Sequence, residues 1–491
     1  MSSLIVVETP SRWPFDVPGV EVVAARDYLT DAGYSPLRRA KVFNLCRDYS
    51  YQSVGYYVSL LAEARGHRPK PDIRTIQEMK SQTILRVATD ELDDLIQRSL
   101  APLKSDEFLL SIYFGQNTAE RYRRLSLRLS SLFDAPLLRA KFVRNQRWTL
   151  TTLQPIASSG IPMSHRPEVA RFAAEYFAGR QGGSRRRATP RYELAILVNP
   201  ADADGDGPSN RGALRKFERA AQELGIGVTF VTKDDYSRLG EFDALFLRET
   251  TQVNHHTYRF AQRAAAEGLV VIDDPQSIVR CTNKVYLAEL FERHKIPAPR
   301  TMVVHADNID AVAARLGLPC VLKRPDSSFS QGVVKVEGEP ELKEAAAKIL
   351  AKTSLFIAQE FLPTEFDWRI GVLDGEALYA CRYHMAKEHW QIIRHEEGAE
   401  ASFGDVDTVP LGEVPKPILR TAVRAAKLIG NSLYGVDMKL SGKKPYVIEV
   451  NDNPSIDSGY EDKILGDMLY RRILEWFVAR MDRRAAGEMR A

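Results

Sequence analysis

Cysteine is scarce in this chain, with only four among 491 residues. Cys46, Cys281, Cys320 and Cys381 are widely separated, and no two of them form a Cys-x-x-Cys pair. That spacing argues against a disulfide framework and against a zinc site built from cysteine. Such cysteine usage is typical of a reducing compartment, so we expect a cytoplasmic protein.

Long apolar runs and a strong excess of one charge are also absent. No run of about 18 apolar residues occurs, so we expect no membrane span. The start, MSSLIVVETPSRWPFD, has no basic segment before its apolar patch, and it predicts a first strand rather than a signal peptide. The net charge is only +4 and the charges are spread along the chain, which argues against a dedicated nucleic-acid binder.

The length and the local composition indicate several domains. The segment AGRQGGSRRRATP predicts a linker, and a solvated connector is favoured over an RNA contact for its arginines. Strand-like and helix-like segments alternate after it, as in a small parallel sheet, and the later pattern indicates an antiparallel sheet with helices on one side. We divide the chain into an N-terminal α/β domain at 1–180, a linker at 181–190, a parallel-sheet domain at 191–276, a larger domain at 277–480 and a tail at 481–491.

Two segments predict helices with clear ends or faces. Residues 51–69 predict a helix that begins near Ser53 and ends before Gly66. A second helix is predicted from about Ile464 to Ala479, and its apolar face points to a structural role in the core. That face consists of Ile464, Leu465, Met468, Leu469, Ile473 and Phe477.

The segment YVIEVNDNP, at 446–454, places polar side chains at the end of an apolar strand. Alternation along a strand puts Glu449 and Asn451 on one face. The preceding strand YGVDMKL and the turn SGKKP predict a hairpin that brings Asp437 beside them. Buried carboxylates need a compensating charge, and magnesium accepts such oxygen ligands. The alternative is an ion pair with Lys439 or Lys443, although an exposed turn makes these lysines poor partners for a buried site.

Two lysines upstream could supply positive charge to phosphates. Lys284 starts a predicted helix, and Lys323 ends a predicted strand in VLKRPDSSFSQGVVKV. The small residues after Lys323 predict a loop that can close over phosphates with backbone N–H groups and hydroxyls. Each feature alone is weak, but their order along the chain, followed by AQEFL, an Asp-x-Arg strand, GVD and EVN, is much more specific.

That joint order resembles the ATP-grasp superfamily and, within it, the RimK-like carboxylate–amine ligases of the long form with an extra N-terminal domain. The resemblance covers about residues 192–480. It implies a combined α/β and α+β architecture: a small parallel-sheet domain and a two-lobed antiparallel-sheet ATP-binding region, preceded by an α/β N-terminal domain.

The resemblance also implies the ligands of ATP and magnesium. Asp437, Glu449 and Asn451 match the family's metal triad, which implies two Mg²⁺ ions, with Mn²⁺ as a substitute. The resemblance implies that the phosphates of ATP are bound by Lys284 and Lys323 and by the loop residues Ser328, Ser330 and Gly332. It places the hinge that binds adenine at Gln359, Glu360, Phe361 and Leu362. Asp367 matches a further nucleotide contact of the family.

Three basic residues are candidates for the chemical step. Arg369 and Arg382 follow the hinge, and their guanidinium groups suit a substrate carboxylate or an acylphosphate. For Arg369 the alternative is an ion pair with Glu365 or Asp374. Lys387 aligns with a basic-polar segment that contacts nucleotide and substrate in the family.

Two departures from the family pattern concern the loop and the substrate. Serines at 327 and 330 stand where the family has glycines, and His389, Trp390 and Gln391 do not match the family's substrate segment. The identity of the substrate therefore stays open, although the resemblance implies the reaction class.

The resemblance implies an ATP-dependent ligase that activates a carboxylate as an acylphosphate and joins it to an amine. It suggests glutamate as the amine, with a peptide or protein C-terminus as the acceptor. We also expect a protein with no membrane or nucleic-acid partner, and a homo-oligomer is compatible with the sequence. The alternatives are a kinase on the same fold, or a nucleotide-binding regulatory or RNA-associated protein without ligase turnover.

Overall fold

A computed structural model describes residues 3–37, 40–81, 85, 92–178, 190–200, 207–326, 332–386, 393–394 and 402–486. These residues form two compact units: the first comprises Met1–Pro190 with Asp234–Glu241, and the second Arg191–Lys233 with Phe242–Ala491. The predicted linker lies outside the described residues except for Pro190. None of the described helices is both long enough and apolar enough to cross a membrane.

The first unit begins with a parallel four-stranded sheet in the order β2-β1-β3-β4. Its strands are β1 Ser3–Val7, β2 Glu21–Ala24, β3 Lys41–Asn44 and β4 Arg68–Lys70, and its helices are α1 Ala25–Thr30, α2 Val54–Ala64 and α3 Ile73–Glu78. The helix α2 lies within the predicted 51–69. It is shorter because Ser53 caps its first turn through the Tyr56 amide, at 3.2 Å, and the chain reverses at Gly66.

An antiparallel sheet in the order β5-β6-β7 completes the first unit. The elements here are β5 Glu107–Tyr113, β6 Leu137–Arg144 and β7 Trp148–Pro155, with the helices α4 Asp93–Leu100, α5 Arg123–Leu132 and α6 Arg166–Ala178. Apolar side chains of β5, α4 and α5 form one buried core with this sheet. The expected α/β character of the N-terminal region is therefore confirmed.

The second unit starts with a parallel sheet in the order β11-β10-β8-β9, as the alternating pattern predicted. The strands are β8 Tyr192–Leu197, β9 Ile226–Val231, β10 Ala244–Leu247 and β11 Val270–Ile272, and the helices are α7 Arg211–Glu223, α8 His256–Ala266 and α9 Pro275–Thr282. Because β10 and β11 are buried on both faces, they read as continuous apolar runs.

Two antiparallel sheets follow, in the orders β12-β15-β13-β14 and β20-β17-β16-β21-β22. The four-stranded sheet has β12 Thr301–Val304, β13 Cys320–Lys323, β14 Val333–Val336 and β15 Phe356–Glu360, and the nearby helices are α10 Lys284–Arg293, α11 Ala311–Leu316 and α12 Glu339–Leu350. The five-stranded sheet has β16 Phe366–Leu373, β17 Glu376–His384, β20 Val406–Thr408, β21 Leu433–Ser441 and β22 Lys444–Asn451, besides a two-stranded piece of β18 Ile393–Arg394 and β19 Ser402–Phe403. This pair of antiparallel sheets confirms the two-lobed architecture that the resemblance implied.

Helices cover the five-stranded sheet by packing apolar stripes against it. The helix α13, Lys416–Ile429, packs Ile418, Ala422 and Ile429 against core residues of β16, β21 and β22. On the other side, the helix α14, Asp467–Ala485, shares one core with the parallel sheet and with β17. The boundary expected at 276/277 stays a prediction.

The C-terminal helix differs in position from its prediction. It begins three residues after Ile464 and continues to Ala485, into the segment expected as a tail. Ile464 and Met468 are about half exposed, at 50% and 48%, so they do not belong to the buried face. Leu469, Ile473 and Phe477 are fully buried as expected, together with Tyr470, Leu474 and Met481. Position 464 precedes the helix, which removes it from the 3.6-residue repeat.

Candidate active site

The hairpin of β21 and β22 brings the three predicted oxygen ligands together. Asp437 lies directly opposite Glu449, and Asn451 lies opposite Gly435 on the same pair of strands. The register shifts after Asp437, so β22 carries an extra residue at this point. The Asn451 Nδ2 group donates a hydrogen bond to Asp437 Oδ2 at 3.0 Å, which turns its own carbonyl oxygen away from that carboxylate. The predicted hairpin is confirmed, and with it the proximity of the three side chains.

Arg369, from the neighbouring strand β16, neutralises Asp437. Its Nε and Nη2 atoms donate to the two carboxylate oxygens of Asp437 at 2.7 and 2.8 Å, and the two residues are direct partners in the ladder. Both side chains are largely buried, at 18% and 13% exposure, so the pair is a fork-to-fork ion pair rather than a surface contact. Neither Glu365 nor Asp374 takes this role, because Asp374 binds Arg480 at 2.8 Å and Glu365 makes no ion pair within the described residues.

Glu449 is compensated from a different element and more loosely. The Nζ atom of Lys284 lies 3.5 Å from Glu449 Oε2. Lys284 is the first residue of α10, and Asn283 caps that helix by accepting from the amides of Val285 and Tyr286, both at 3.1 Å. The cap and the Lys284 amide, which donates to the Pro325 carbonyl at 2.9 Å, fix the root of the lysine side chain.

The two turn lysines do not pair with the metal candidates. Lys439 follows Asp437 on the same face of β21, and its Nζ binds Asp367 and Thr364, both at 2.6 Å. Lys443 is exposed in the turn. The alternative in which these lysines neutralise Asp437 and Glu449 is therefore wrong.

Lys323 is buried at the end of β13 and points at its sheet neighbour Gln359. Its Nζ donates to Gln359 Oε1 at 2.8 Å, and Gln359 Nε2 donates to the Thr301 hydroxyl at 3.0 Å. Burial, reinforced by the positive charges of Lys284 and Lys439, lowers the pKa of Lys323 to about 8, although Glu449 opposes the shift. A negative charge placed beside Lys323 would therefore strongly stabilise its protonated form.

Burial and neighbouring charges shift the pKa values of the two hairpin carboxylates in opposite directions. Burial and the carboxylates of Glu449 and Asp367 raise the pKa of Asp437, while Arg369 opposes the shift. Burial alone would raise the pKa of Glu449 too, but the charges of Lys284, Lys323 and Arg369 outweigh it, and the pKa is lowered. Glu449 is thus the more firmly ionised of the two.

The hinge candidates lie at the end of β15, where the two antiparallel sheets are joined. The Glu360 carboxylate accepts from the backbone amide of Arg300 at 2.9 Å and from its Nε at 2.6 Å. The Phe361 ring lies 4.3 Å from Lys335 Nζ, and Leu362 is half-buried beside it. Since the Gln359 and Glu360 side chains are already engaged, hydrogen bonds to an adenine at this hinge would come from the backbone.

Arg382 is not brought to the oxygen cluster. Arg382 is paired with Trp368 across the β16–β17 ladder, and its guanidinium lies 4.9 Å from the Trp368 ring and 5.2 Å from the Phe366 ring. Trp368 precedes Arg369 in the strand, so alternation places Arg382 and Arg369 on opposite faces of the sheet. The prediction that Arg369 and Arg382 act at the same oxyanion is not supported by their positions on opposite faces of the sheet.

Three predicted site residues, Ser328, Ser330 and Lys387, lie outside the described residues. Gly332, which ends the serine-rich segment, has a φ of 70°. At this φ an L side chain is strained, which favours glycine in the turn back into β14, and a Cβ atom at Gly332 would also lie 2.1 Å from Arg324 Nε.

The sequence interpretation gave Lys439 the wrong partners and missed Arg248 altogether. Lys439 could have been recognised, because it stands two residues after Asp437 and so shares its face of the strand. Arg248 follows β10 and is 2% exposed, and its guanidinium donates to Asn453 Oδ1 at 2.8 Å and to the Pro454 carbonyl at 2.9 Å. The pattern gave no signal for Arg248, because its partners are distant in sequence: Ser209 and Pro208 precede it by about 40 residues, and Asn453 and Pro454 follow it by more than 200.

Two family models match the chain. The RimK-like ATP-grasp N-terminal domain matches residues 25–172, and the RimK-like ATP-grasp domain matches residues 281–476. Together they cover more than two thirds of the chain, and the second contains nearly all of the residues described above.

The chain is also similar to curated relatives and to solved structures. A Vibrio vulnificus protein named as a probable alpha-L-glutamate ligase is 26% identical over 242 residues, which span 48% of this chain and 77% of the relative. The alpha-aminoadipate–LysW ligase LysX of Sulfolobus acidocaldarius is 27% identical over 244 residues, which span 46% of this chain and 83% of the relative. A RimK domain ATP-grasp protein of Sphaerobacter thermophilus is similar in structure, with a TM-score of 0.44, 18% identity, and coverage of 58% of this chain and 98% of that one. The chain belongs to the RimK-like ATP-grasp family, and it is an ATP-grasp ligase of the class that forms carbon–nitrogen bonds.

Proposed function

We propose that this ligase uses ATP to join an amino acid, with glutamate as the first candidate, to the free C-terminal carboxylate of a peptide or protein. The support for the amino acid comes from relatives named as probable alpha-L-glutamate ligases. The support for a peptide or protein acceptor comes from LysX, whose name includes the protein partner LysW.

One observation carries the assignment of the reaction centre: three cations from three different elements converge on the oxygen cluster of the β21–β22 hairpin. Arg369 binds Asp437, Lys284 approaches Glu449, and the charge of Lys323 acts on Glu449 as well. This largely buried cluster suits the binding of a nucleotide together with a metal cation. The phosphates would lie near the lysines and the arginine, and the metal ion would lie near the carboxylates.

The donor set fits magnesium. Asp437, Glu449 and Asn451 offer carboxylate and carboxamide oxygens, which are the hard ligands that this ion prefers, and the Asn451 carbonyl oxygen is turned away from Asp437. We propose that these residues hold the metal, with two ions in the complete site and Mn²⁺ able to replace them. When bound, the metal would neutralise phosphate charge and polarise the phosphorus–oxygen bonds.

The proposed reaction has two steps that balance without a covalent enzyme intermediate. A carboxylate oxygen of the acceptor attacks the γ-phosphorus of ATP, the bond to the β-phosphate oxygen breaks, and ADP leaves. The amine of the amino acid then attacks the acyl carbon, phosphate leaves, and the nitrogen loses a proton as the amide forms.

The chain's own residues bind and orient in this scheme. Lys284 and Lys323 place point charges on the phosphates, and the lowered pKa of Lys323 means that phosphate binding stabilises its charged form. Within the described residues, Nη1 of Arg369 makes no hydrogen bond, so it can donate to an oxyanion while Nε and Nη2 keep Asp437 in place. Positioning and charge neutralisation are the main sources of rate in such a transfer.

Product analysis tests the proposal directly. The full-length protein is incubated with ATP, Mg²⁺, glutamate and a pool of peptides with free C-termini, and the products are analysed by mass spectrometry. We expect ADP and phosphate, together with peptides heavier by one glutamyl residue, and no product with an Asp437→Asn variant. ADP formed with a phosphorylated peptide and no amide would favour a kinase instead, and an amide formed only with another amino acid would correct the choice of glutamate.

A further inference from the structure

A second group of potential metal ligands lies in the parallel-sheet part of the second unit. It consists of Glu249, just after β10, and of His255 and His256 at the start of α8. One ligand atom from each of the three residues lies within 4.8 Å of the others. None of these residues belongs to the oxygen cluster of the β21–β22 hairpin.

Burial makes the carboxylate of this group dependent on a nearby positive charge. Glu249 is only 5% exposed, and His256 is the one ion-pair partner that it has within the described residues, with Nε2 at 2.8 Å from Oε1. The adjacent Arg248 is directed elsewhere, to Ser209, Asn453 and two proline carbonyls. A neutral histidine would leave Glu249 as a buried, uncompensated charge.

The geometry of the pair is not that of a hydrogen bond. The Nε2 atom of His256 is buried and has no hydrogen-bond partner despite the short distance, because its N–H direction misses the carboxylate oxygen. Two atoms about 3 Å apart that do not point at each other can both point at a third position, as neighbouring ligands of a tetrahedral ion do.

The second histidine has its ring orientation set by a hydroxyl. The Thr257 hydroxyl lies 3.1 Å from Nδ1 of His255 and donates to the Thr250 carbonyl at 3.5 Å. In the tautomer in which Nδ1–H donates to this hydroxyl, the lone pair of the His255 ring lies on Nε2. Support of this kind, from the second nitrogen of the ring, is usual for metal-binding histidines.

The loop that carries the three residues is fixed where it begins, at Glu249 and Thr251. Asn453 Nδ2 donates to the backbone carbonyl of Glu249 at 2.7 Å, and the Thr251 hydroxyl donates to Asp452 at 2.6 Å. The ligands are therefore held before an ion arrives, which lowers the entropy cost of binding.

We propose that Glu249, His255 and His256 form a binding site for one divalent transition-metal ion of the zinc class. Two imidazoles and one carboxylate favour such an ion over magnesium, which takes oxygen ligands. Three protein ligands leave a fourth position open to water or to another small ligand. The site does not depend on the proposed ligase activity, and its occupancy can be measured without turnover.

The test uses the full-length, tag-free protein after removal of metal with a chelator. Zn²⁺ is titrated against a chromophoric competitor, and Co²⁺ is added to a parallel sample to record its visible absorption. We expect one Zn²⁺ per chain and an intense Co²⁺ spectrum typical of four or five ligands. Glu249→Gln, His255→Ala and His256→Ala should each weaken Zn²⁺ binding by about 100-fold or more.

Two matched variants distinguish this site from others. His305→Ala removes an exposed histidine that lies 3.6 Å from a carboxylate, and Asp437→Asn alters the hairpin cluster, so both should leave Zn²⁺ binding unchanged. Melting curves with chelator present show whether each variant is folded. The Co²⁺ spectrum of the unaltered protein tests the proposed ligand number even if a variant fails to fold. Absence of stoichiometric binding, or binding that is lost in Asp437→Asn and kept in the three cluster variants, would overturn the proposal and leave Glu249 and His256 as a simple ion pair.

Discussion

The two carboxylates of the β21–β22 hairpin lie directly opposite each other, yet they are neutralised in different ways. Asp437 is held by both arms of a guanidinium from the adjacent strand, at 2.7 and 2.8 Å. Glu449 forms an ion pair with Lys284 at 3.5 Å, on a long side chain that starts from a helix in another part of the unit, and the charge of Lys323 also acts on it. The first pair is part of the sheet, and the second joins a helix to the sheet against which it packs.

This difference suggests a division of roles. An Arg–Asp fork fixed by strand register keeps its geometry whether or not a nucleotide is present. A lysine at 3.5 Å makes a weaker contact than the fork, so less interaction energy with Glu449 is lost when its charge turns to a phosphate. We infer that Asp437 mainly holds the site in shape, whereas Glu449 and Lys284 exchange partners when phosphates and a metal bind.

The largest effect on stability should come from breaking the Arg369–Asp437 fork. Asp437→Asn leaves a buried guanidinium without its counter-charge, which should lower the free energy of unfolding by about 3–5 kcal/mol. Chemical denaturation in the absence of nucleotide measures the change. The control is Asp374→Asn, which breaks the more exposed Arg480–Asp374 pair and should cost about 1 kcal/mol or less.

A double variant sharpens that prediction. Arg369→Leu together with Asp437→Leu removes both buried charges, so much of the stability should return while turnover stays lost. Equal stability losses for Asp437→Asn and Asp374→Asn would contradict the structural role that we give to the fork.

Glu449→Gln should affect turnover far more than folding. The substitution keeps the shape of the side chain but removes one negative charge from the proposed metal site, and turnover should fall by about 100-fold or more. Because Lys284, Lys323 and Arg369 all stabilise the ionised carboxylate, we expect a stability loss of about 1 kcal/mol in EDTA.

Melting with and without Mg–ATP separates the two roles of Glu449. The variant should lose most of the stabilisation that Mg–ATP gives the unaltered protein, whereas Glu475→Gln, in an exposed helix pair, should keep it. A large loss of stability in EDTA combined with normal stabilisation by Mg–ATP would make Glu449 a salt-bridge residue and place the metal elsewhere.

Lys323→Ala should have a smaller effect, on nucleotide affinity. Loss of one charge-assisted contact to phosphate should weaken ATP binding by about tenfold or more in calorimetry. Lys348→Ala, which removes an exposed lysine of the helix α12, is the matched control and should leave the affinity unchanged. The same affinity in both variants would show that Lys323 does not contact the nucleotide.

The hairpin and the proximity of its three ligands could be predicted because they follow from local pattern. Alternation along β22 fixed the shared face of Glu449 and Asn451, and the short turn fixed their nearness to Asp437. The parallel sheet and the helix that starts with Lys284 were also readable from strand–helix alternation and end signals.

The partners of the carboxylates could not be predicted in the same way. Arg369 lies 68 residues before Asp437 in sequence, and only the order of strands in the sheet makes the two neighbours. The face of Arg382 was readable in principle, but it depends on the register between β16 and β17, which residue spacing alone does not give. Lys284 meets Glu449 only through the packing of α10 against the hairpin, a contact of tertiary structure rather than of local pattern.

The last and smallest expected effect is a dependence of ATP affinity on pH that comes from Lys323. Its pKa is lowered from 10.5 to about 8 in the folded chain, chiefly by burial. The unfolded chain binds the proton more tightly, so this lysine makes folding more favourable as the pH rises through the window from about 8 to 10.5. Nucleotide binding should respond in the opposite direction, because phosphates bind the charged form.

We therefore expect ATP affinity to be constant below about pH 8 and to fall above it, by up to about tenfold per pH unit, with uptake of one proton per nucleotide. The last ionisation of the ATP phosphates, at about pH 6, is complete in this range and does not contribute to the pH dependence of the affinity. Calorimetry at two pH values, in buffers of different ionisation enthalpy, measures the proton uptake. Lys323→Arg keeps its charge at all these pH values, so its affinity should not fall above pH 8. A fall that persists in Lys323→Arg would assign the titration to another group and remove Lys323 from the phosphate site.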